Sequence, residues 1–122
     1  MALWKNALEQ IVAMTGTAYQ VKGSDFGKTL TNRGLTASIT ATLPPTADIP
    51  SGWWVKFYGV SAYGFVVASS GSADNIVALN DAAADSLTMT TTSLIIGASL
   101  KVTWDGTSWL SERGAGNTFA VA

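Results

Sequence analysis

A strict alternation between apolar and hydroxyl-bearing residues spans residues 35–43 and constrains the fold more than any other feature of this sequence. Leu, Ala or Ile occupies every second position, with Thr or Ser between them. Successive side chains of a β-strand point to opposite faces, so this period predicts a strand with one buried face and one face of hydroxyl groups. Pro44 and Pro45 follow at once, and the strand is predicted to end there because proline cannot donate a ladder hydrogen bond.

Further short runs rich in aromatic and β-branched residues follow this strand and are separated by glycine, serine and aspartate. They lie at residues 53–60, 63–68, 76–79, 87–89 and 93–96. Short strands at a spacing of about 8–12 residues, with little helix, are typical of an all-β domain. The sequence therefore predicts a mainly β fold, a small antiparallel β-sandwich or barrel-like domain that comprises residues 19–122.

The clearest hairpin of the sequence turns at Asp105 and Gly106, a pair that favours a two-residue type I′ turn. Such a turn pairs Val102 with Trp109 and places Trp104 on the same face as both. Two tryptophans on one face need a core to cover them. Trp109 is therefore predicted to be buried.

Apolar residues near the amino terminus recur at steps of four and three, at Trp4, Leu8 and Ile11. This is the spacing of one helical face, and Gly16 is predicted to end the helix. A helix of about three turns is marginal alone in water, so it must pack against something. Residues 1–18 are predicted to be an amphipathic arm or helix. Its apolar face packs either on the β-domain of its own chain or, as a docking or oligomer contact, on sister copies or another protein.

The composition restricts the chemistry of the chain. The 122 residues include no cysteine and no histidine, which removes disulfides, thiolate–metal sites and the commonest general base. Seven Lys and Arg residues stand against eight Asp and Glu, for a net charge of −1, so no basic stripe for nucleic acid is expected. No apolar run approaches the roughly 20 residues that cross a bilayer. We expect no cofactor, no nucleic-acid partner and no membrane partner.

An ordered set of short motifs also runs through the chain. Its members are Tyr19-Gln-Val21, Asp25-x-Gly27-Lys28-x-Leu30, Leu43-Pro44, Gly52-Trp53-Trp54-Val55 and Asp105-Gly106-Thr107-x-Trp109. In this order and spacing the set resembles the short β-sandwich modules of tailed-phage virion proteins, which occur in tail fibres, spikes, head fibres and capsid decoration proteins. The resemblance implies that the aspartate and glycine at positions 25 and 27, like those at 105 and 106, form structural turns.

The resemblance also implies a function. It indicates a non-enzymatic bacteriophage virion structural protein that assembles as a homotrimer. A tail fibre or spike needs a long shaft and the sequence shows no shaft repeats, so we expect a capsid decoration or cement protein at the capsid surface, bound to the major capsid protein. Trp4, Leu8 and Ile11 are then the expected docking residues. The alternative is a tail fibre or spike receptor-binding domain that binds a tail protein and recognises a host surface polysaccharide.

Four aromatic residues are candidates for a ligand or subunit surface, namely Trp53, Trp54, Tyr58 and Tyr63. Flat aromatic rings stack on sugar rings and are enriched at protein interfaces. Adjacent residues of a strand point to opposite faces, so one of Trp53 and Trp54 is expected in the core. The other, together with Tyr58, is expected to contact a sister subunit or a ligand.

The acidic cluster of the chain comprises Asp74, Asp81 and Asp85, with residues 80–86 predicted to be a loop. Calcium favours oxygen ligands of this kind, but their spacing matches no EF-hand loop. Glycoside hydrolysis needs two carboxyl groups across one sugar, and the predicted strands place the carboxylates on different loops. No catalytic residue and no metal site is predicted, and the protein is expected not to be an enzyme.

Overall fold

The computed structural model describes residues 10–89, 95–114 and 119–122 of the chain. Within these residues the backbone forms short strands and two single-turn 3₁₀ helices, at Gly23–Asp25 and Thr46–Asp48. The strands, in chain order, are β1 (Ile11–Ala13), β2 (Ala18–Gln20), β3 (Thr29–Thr31), β4 (Ile39–Thr42), β5 (Trp54–Tyr58), β6 (Phe65–Ala68), β7 (Ile76–Ala78), β8 (Asp81–Ala84), β9 (Ser86–Met89), β10 (Ser99–Trp104), β11 (Trp109–Arg113) and β12 (Phe119–Val121). The predicted mainly β fold is confirmed.

The described strands belong to two sheets. Sheet A has seven strands in the order β1-β3-β5-β10-β11-β7-β8, and sheet B has five in the order β12-β9-β6-β4-β2. Buried side chains from both sheets join in one hydrophobic core. The result is a small β-sandwich-like domain, as the alternating apolar residues predicted.

Strand direction differs from the wholly antiparallel arrangement expected from the sequence. Through β6 the chain places successive strands in alternate sheets, with β1, β3 and β5 in sheet A and β2, β4 and β6 in sheet B. A chain that crosses to the other sheet after each strand returns in the same direction, so these neighbours pair in parallel. Antiparallel pairing occurs where β10 meets β5 and β11, and where β9 meets β6 and β12. Both sheets are therefore mixed.

The core consists of the inward-facing residues of the central strands. Those of β4, β5, β6 and β10 alternate with outward residues and include Ile39, Ala41, Val55, Phe57, Phe65, Val67, Leu100 and Val102. The fully buried ring of Trp109 packs between Trp53 and Trp104, with ring centroids 5.7 and 5.4 Å away. Each such aromatic side chain removes about 150–250 Å² of surface from water, so this trio is a major part of the core.

The amino-terminal segment is a strand, and not a helix, where the structure describes it. Residues Ile11–Ala13 pair in parallel with β3, and the Met14 amide donates to the Thr31 carbonyl. Met14 is buried while Ile11 is 70% exposed, which is the alternation of an edge strand. The predicted helix therefore does not extend through Ile11, because backbone pairing with β3 overrides a weak local preference. The predicted positions Trp4 and Leu8 lie outside the described residues.

The strand predicted at residues 35–43 is shorter than expected. It begins at Ile39, because Gly34 adopts a positive φ of 80° and the Leu35 amide donates to the Asn32 carbonyl, which forms a turn. The buried positions of the remaining strand, Ile39 and Ala41, are those that the alternation predicted. The predicted loop at residues 80–86 is also different: β8 pairs with β7 there, and β9 begins at Ser86.

The hairpin of β10 and β11 has a longer loop than predicted. Trp104 pairs with Trp109 and Val102 with Ser111, so four residues connect the strands instead of two. The carboxylate of Asp105 accepts hydrogen bonds from the Thr107 and Ser108 amides, at 2.8 and 2.7 Å, and these bonds close the wider loop. Both tryptophans and Val102 are nevertheless buried on one face, as expected.

Candidate functional site

Strand β5 presents alternate residues to the outside of sheet A. Val55 and Phe57 are fully buried, whereas Trp54 and Lys56 are partly exposed and Tyr58 is 38% exposed. Trp53, which precedes the strand, is only 4% exposed, and its indole nitrogen donates to the Gly23 carbonyl at 3.0 Å. Trp53 therefore belongs to the core, and Trp54 is the member of the pair that faces outward.

Phe26 extends this outward aromatic surface. Its ring is 53% exposed and lies 6.1 Å from Trp54 and 6.4 Å from Trp53, measured between ring centroids. The residue follows the 3₁₀ turn Gly23–Asp25, which the hydrogen bond from Trp53 ties to the core. Phe26 is therefore held beside Trp54 although it is separate from β5 in sequence.

A hydrogen-bonded cluster around Asp25 fixes that turn. The buried Asp25 carboxylate accepts hydrogen bonds from the Tyr19 hydroxyl, at 3.1 Å, and from the Lys22 amide, at 3.0 Å, and its other oxygen lies 3.5 Å from Lys28 Nζ. Gly27 has a positive φ of 75°, and its amide donates to the Trp54 carbonyl. Burial, with the adjacent Asp25 carboxylate, raises the pKa of Tyr19 from 10.0 to about 12. These contacts hold the turn in place.

The four positions predicted as structural turns all lie in turns. Asp25 and Gly27 form the cluster just described, and Asp105 and Gly106 form the loop between β10 and β11. Hydrogen bonds from the Ser108 and Thr107 amides lower the pKa of Asp105, because they stabilise its ionised form.

Two lysines lie between the aromatic residues on the outer face of sheet A. Lys56 of β5 stands directly opposite Lys101 of β10. The Lys101 ammonium lies 4.6 Å from the centroid of the Trp54 ring, and the Lys56 ammonium lies 5.9 Å from that of Tyr58. Within the part of the chain that the structure describes, neither lysine forms an ion pair with a carboxylate. Like charges directly opposite each other destabilise a sheet, and cation–π contacts with the two aromatic rings offset this repulsion.

A hollow adjoins this lysine pair. Its volume is about 190 Å³, and it is lined by Lys56, Lys101, Arg113, Ser99 and Glu112. Water takes roughly 30 Å³ per molecule in the liquid, so the hollow has room for a group the size of a carboxylate with its hydration. Three cationic residues and one anionic residue make its surroundings positive in sum.

The outer face of sheet B has a different character. Its residues come from every strand of the sheet and lie in cross-strand register. They are Ala18, Gln20, Thr40, Thr42, Val66, Ala68, Ser86, Thr88 and Ala120. All are uncharged and most are small, so a second protein surface can approach this face closely without the desolvation of charges.

The remaining predicted surface residues are dispersed. Ile11 lies exposed on the edge strand β1. Tyr63 is 45% exposed in the segment between β5 and β6, and among the described residues its ring contacts no other aromatic ring. As expected for adjacent residues, one of the two tryptophans, Trp53, is buried, and Trp54 shares the outer face of β5 with Tyr58. Tyr63 lies apart from them. The structure adds Phe26, Lys56 and Lys101.

Two residues of the acidic cluster, Asp74 and Asp85, lie between strands, whereas Asp81 is the first residue of β8. The Asp74 amide donates to the Asp85 carboxylate at 2.9 Å, and the side-chain hydrogen bond between these two residues, with the charge of Asp85, raises the pKa of Asp74. Throughout residues 10–89, 95–114 and 119–122, no three acidic side chains converge in a way that would hold a metal ion. In the same residues no helix has the length and apolar character needed to span a membrane.

Sequence comparisons give no relatives for this chain. No protein-family model matches it, and no curated protein has significant similarity to it.

Proposed function

We propose that this protein is a non-enzymatic structural protein of a tailed-phage virion, a capsid decoration or cement protein that assembles as a homotrimer on the major capsid protein. The observation that carries the proposal is the uncharged outer face of sheet B. A face made of Thr, Ala, Val, Ser and Gln over the whole width of a sheet suits a close contact between folded subunits.

The motif resemblance supports the phage assignment. One cluster of polar contacts contains three separate positions of the motif pattern, namely Tyr19, Asp25 and Lys28. Gly27 links that cluster to Trp54 through its backbone amide. Trp53 and Trp109 of the later motifs are in ring contact in the core. The motif residues thus have structural roles in this fold, as the resemblance implies for its turns.

Self-association is tested by light scattering after size exclusion. Val66 lies at the centre of the outer face of sheet B, so Val66→Lys is expected to convert the trimer to monomer while the circular dichroism spectrum stays unchanged. Thr103→Lys adds the same charge on the outer face of sheet A and is the matched control, expected to remain a trimer. A wild-type monomer, or equal dissociation of both variants, would contradict this contact.

Location is tested by immunogold electron microscopy on virions of the phage that encodes the chain. Gold over the head at many copies is expected. Gold at the tail tip would favour the alternative below, and virions without gold would contradict a virion role altogether.

A second candidate function is the binding of a host surface polysaccharide by a tail fibre or spike domain. One observation favours it: Trp54 and Tyr58 face outward from the same strand, beside the exposed ring of Phe26. Replacing both Trp54 and Tyr58 by serine is expected to abolish attachment to host cells if this role is correct, and to leave attachment unchanged if the protein decorates the capsid.

A further inference from the structure

We infer that the outer face of sheet A around Lys56 and Lys101 binds an acidic saccharide, with a sugar carboxylate in the hollow beside the two lysines. The inference rests on the second candidate function above and names the class of glycan. It is carried by the position of the charges relative to the aromatic rings.

Two lysines of adjacent strands form a pair of like charges on the outer face of sheet A. Lys56 and Lys101 stand opposite each other on adjacent strands, and like charges at such positions destabilise a sheet. Glu112 stands opposite Lys101 on β11, but no carboxylate of the described residues pairs with either lysine. A partly exposed pair of cations that forms no ion pair within the described residues attracts an anion from solution.

The hollow beside the lysine pair has further hydrogen-bond donors. Besides the two lysines, Arg113 and Ser99 line this hollow of about 190 Å³. An anionic group placed there therefore meets several hydrogen-bond donors. Lysine and arginine form charge-assisted hydrogen bonds with carboxylates, which are roughly twice as strong as neutral ones.

The aromatic rings beside the lysines favour a glycan over other anions. Tyr58 lies next to Lys56 on the same face, with its ring 38% exposed, and Trp54 lies on the other side. A sugar ring that stacks on Tyr58 carries its carboxylate toward Lys56. A nucleic acid needs a longer basic track, and this face has three cations in one hollow with Glu112 among them.

The experiment measures binding by isothermal titration calorimetry with the full chain. The probes are oligogalacturonate, oligosialic acid and hyaluronan oligosaccharides, each also in a form whose carboxyl groups have been reduced to alcohols. The variants are Lys56→Gln and Lys101→Gln, and Lys22→Gln is the matched control because it removes the same charge from an exposed position on another part of the fold. Circular dichroism and the unfolding midpoint check that each variant is folded.

We expect at least one acidic probe to bind, with an affinity that falls as salt rises. Each of Lys56→Gln and Lys101→Gln should weaken it about tenfold, which is the size of one charge-assisted hydrogen bond, and Lys22→Gln should leave it unchanged. The reduced probe should bind at least about tenfold more weakly than its acidic form.

Several outcomes would overturn the inference. Equal binding of the acidic and reduced probes would refute the role of charge and leave glycan binding intact, whereas no binding of any probe at millimolar concentration would refute both. If Lys22→Gln weakened glycan binding as much as Lys56→Gln and Lys101→Gln do, binding would reflect the general attraction of the protein for anions and not a specific site. Tighter binding of an oligodeoxynucleotide than of every glycan, or a change of oligomeric state in the lysine variants, would assign the face to another partner.

Discussion

The Tyr19 hydroxyl donates a hydrogen bond to the buried Asp25 carboxylate over 3.1 Å. This contact joins β2 to the 3₁₀ turn that positions Phe26, so it connects the core to the outer aromatic surface. Because a buried carboxylate needs its donors, Tyr19→Phe is expected to lower the free energy of unfolding by about 1–3 kcal/mol in urea titrations at neutral pH.

The same contact predicts a pH dependence at high pH. The pKa of Tyr19 is raised from 10.0 to about 12 in the folded protein, so the folded state holds this proton more tightly than the unfolded state. The contribution of Tyr19 to stability is therefore complete below pH 10 and is lost as the pH rises from 10 to about 12. The stability difference between the wild type and Tyr19→Phe should shrink over that interval. A constant difference would show that the hydroxyl does not titrate through this contact.

Trp109 provides a test of the core. Its side chain is fully buried against Trp53 and Trp104, so Trp109→Ala is expected to cost about 3–5 kcal/mol of unfolding free energy. Leu110, the next residue, is 40% exposed, and Leu110→Ala is the control with an expected cost below about 1 kcal/mol. Similar losses for both variants would contradict the assignment of the two faces.

The fate of this hairpin shows what the sequence can and cannot predict. The burial of Trp104 and Trp109 followed from alternation, because alternation is a property of each strand alone. The register did not follow, because it depends on how Asp105 hydrogen-bonds to two amides beyond the turn, and this makes the loop longer than the Asp-Gly pair suggests. The local sequence pattern thus predicts which face of a strand is buried better than it predicts which residues pair across neighbouring strands.

Contacts between distant segments were the other feature that sequence reasoning missed. Lys56 and Lys101 are far apart in the chain and become neighbours only because β5 and β10 pair. The alternation of Trp54, Lys56 and Tyr58 signals that they share a face, but nothing in it indicates a second lysine opposite. Similarly, the Ala-rich β8 has little strand propensity, and its pairing with β7 makes it a strand.

Asn32 is the most completely satisfied buried polar side chain that the structure describes. Its amide donates to the Ser61 and Tyr63 carbonyls and its oxygen accepts from the Val60 and Ser61 amides, and the Asn32 side chain itself is fully buried. Asn32→Asp replaces the two donors with a carboxylate oxygen that faces carbonyl oxygens. We expect a loss of at least about 3 kcal/mol, measured by denaturant unfolding.

The control for this prediction is Asn80→Asp, the same change at an exposed position, which should alter the unfolding free energy by less than about 0.5 kcal/mol. A small effect at Asn32 would mean that the segment after β5 does not depend on these hydrogen bonds.

Gly59 is predicted to be intolerant of any side chain. A Cβ at this position would overlap the carbonyl oxygen of Ile95, a backbone atom that cannot rotate away, and Gly59 also exchanges hydrogen bonds with Gly97 and Ala98. Gly59→Ala should cost about 1–3 kcal/mol or more by thermal or urea unfolding. Gly23→Ala is the control because no atom lies within 4 Å of its Cβ position, and equal stability of the two variants would refute the close approach.

The repulsion between Lys56 and Lys101 makes a prediction in the opposite direction. Lys56→Gln removes one of two facing charges that no described carboxylate neutralises, so it should raise the unfolding free energy by about 0.2–1 kcal/mol at low salt. The gain should decline as salt increases, because salt screens the repulsion that the wild type has and the variant lacks. Lys22→Gln changes the net charge equally and should give no such gain. If Lys56→Gln is instead destabilising at every salt concentration, then the contact of Lys56 with Tyr58 outweighs the repulsion. The lysine pair would then stabilise the fold by itself, and repulsion between the lysines would not favour the binding of an anion.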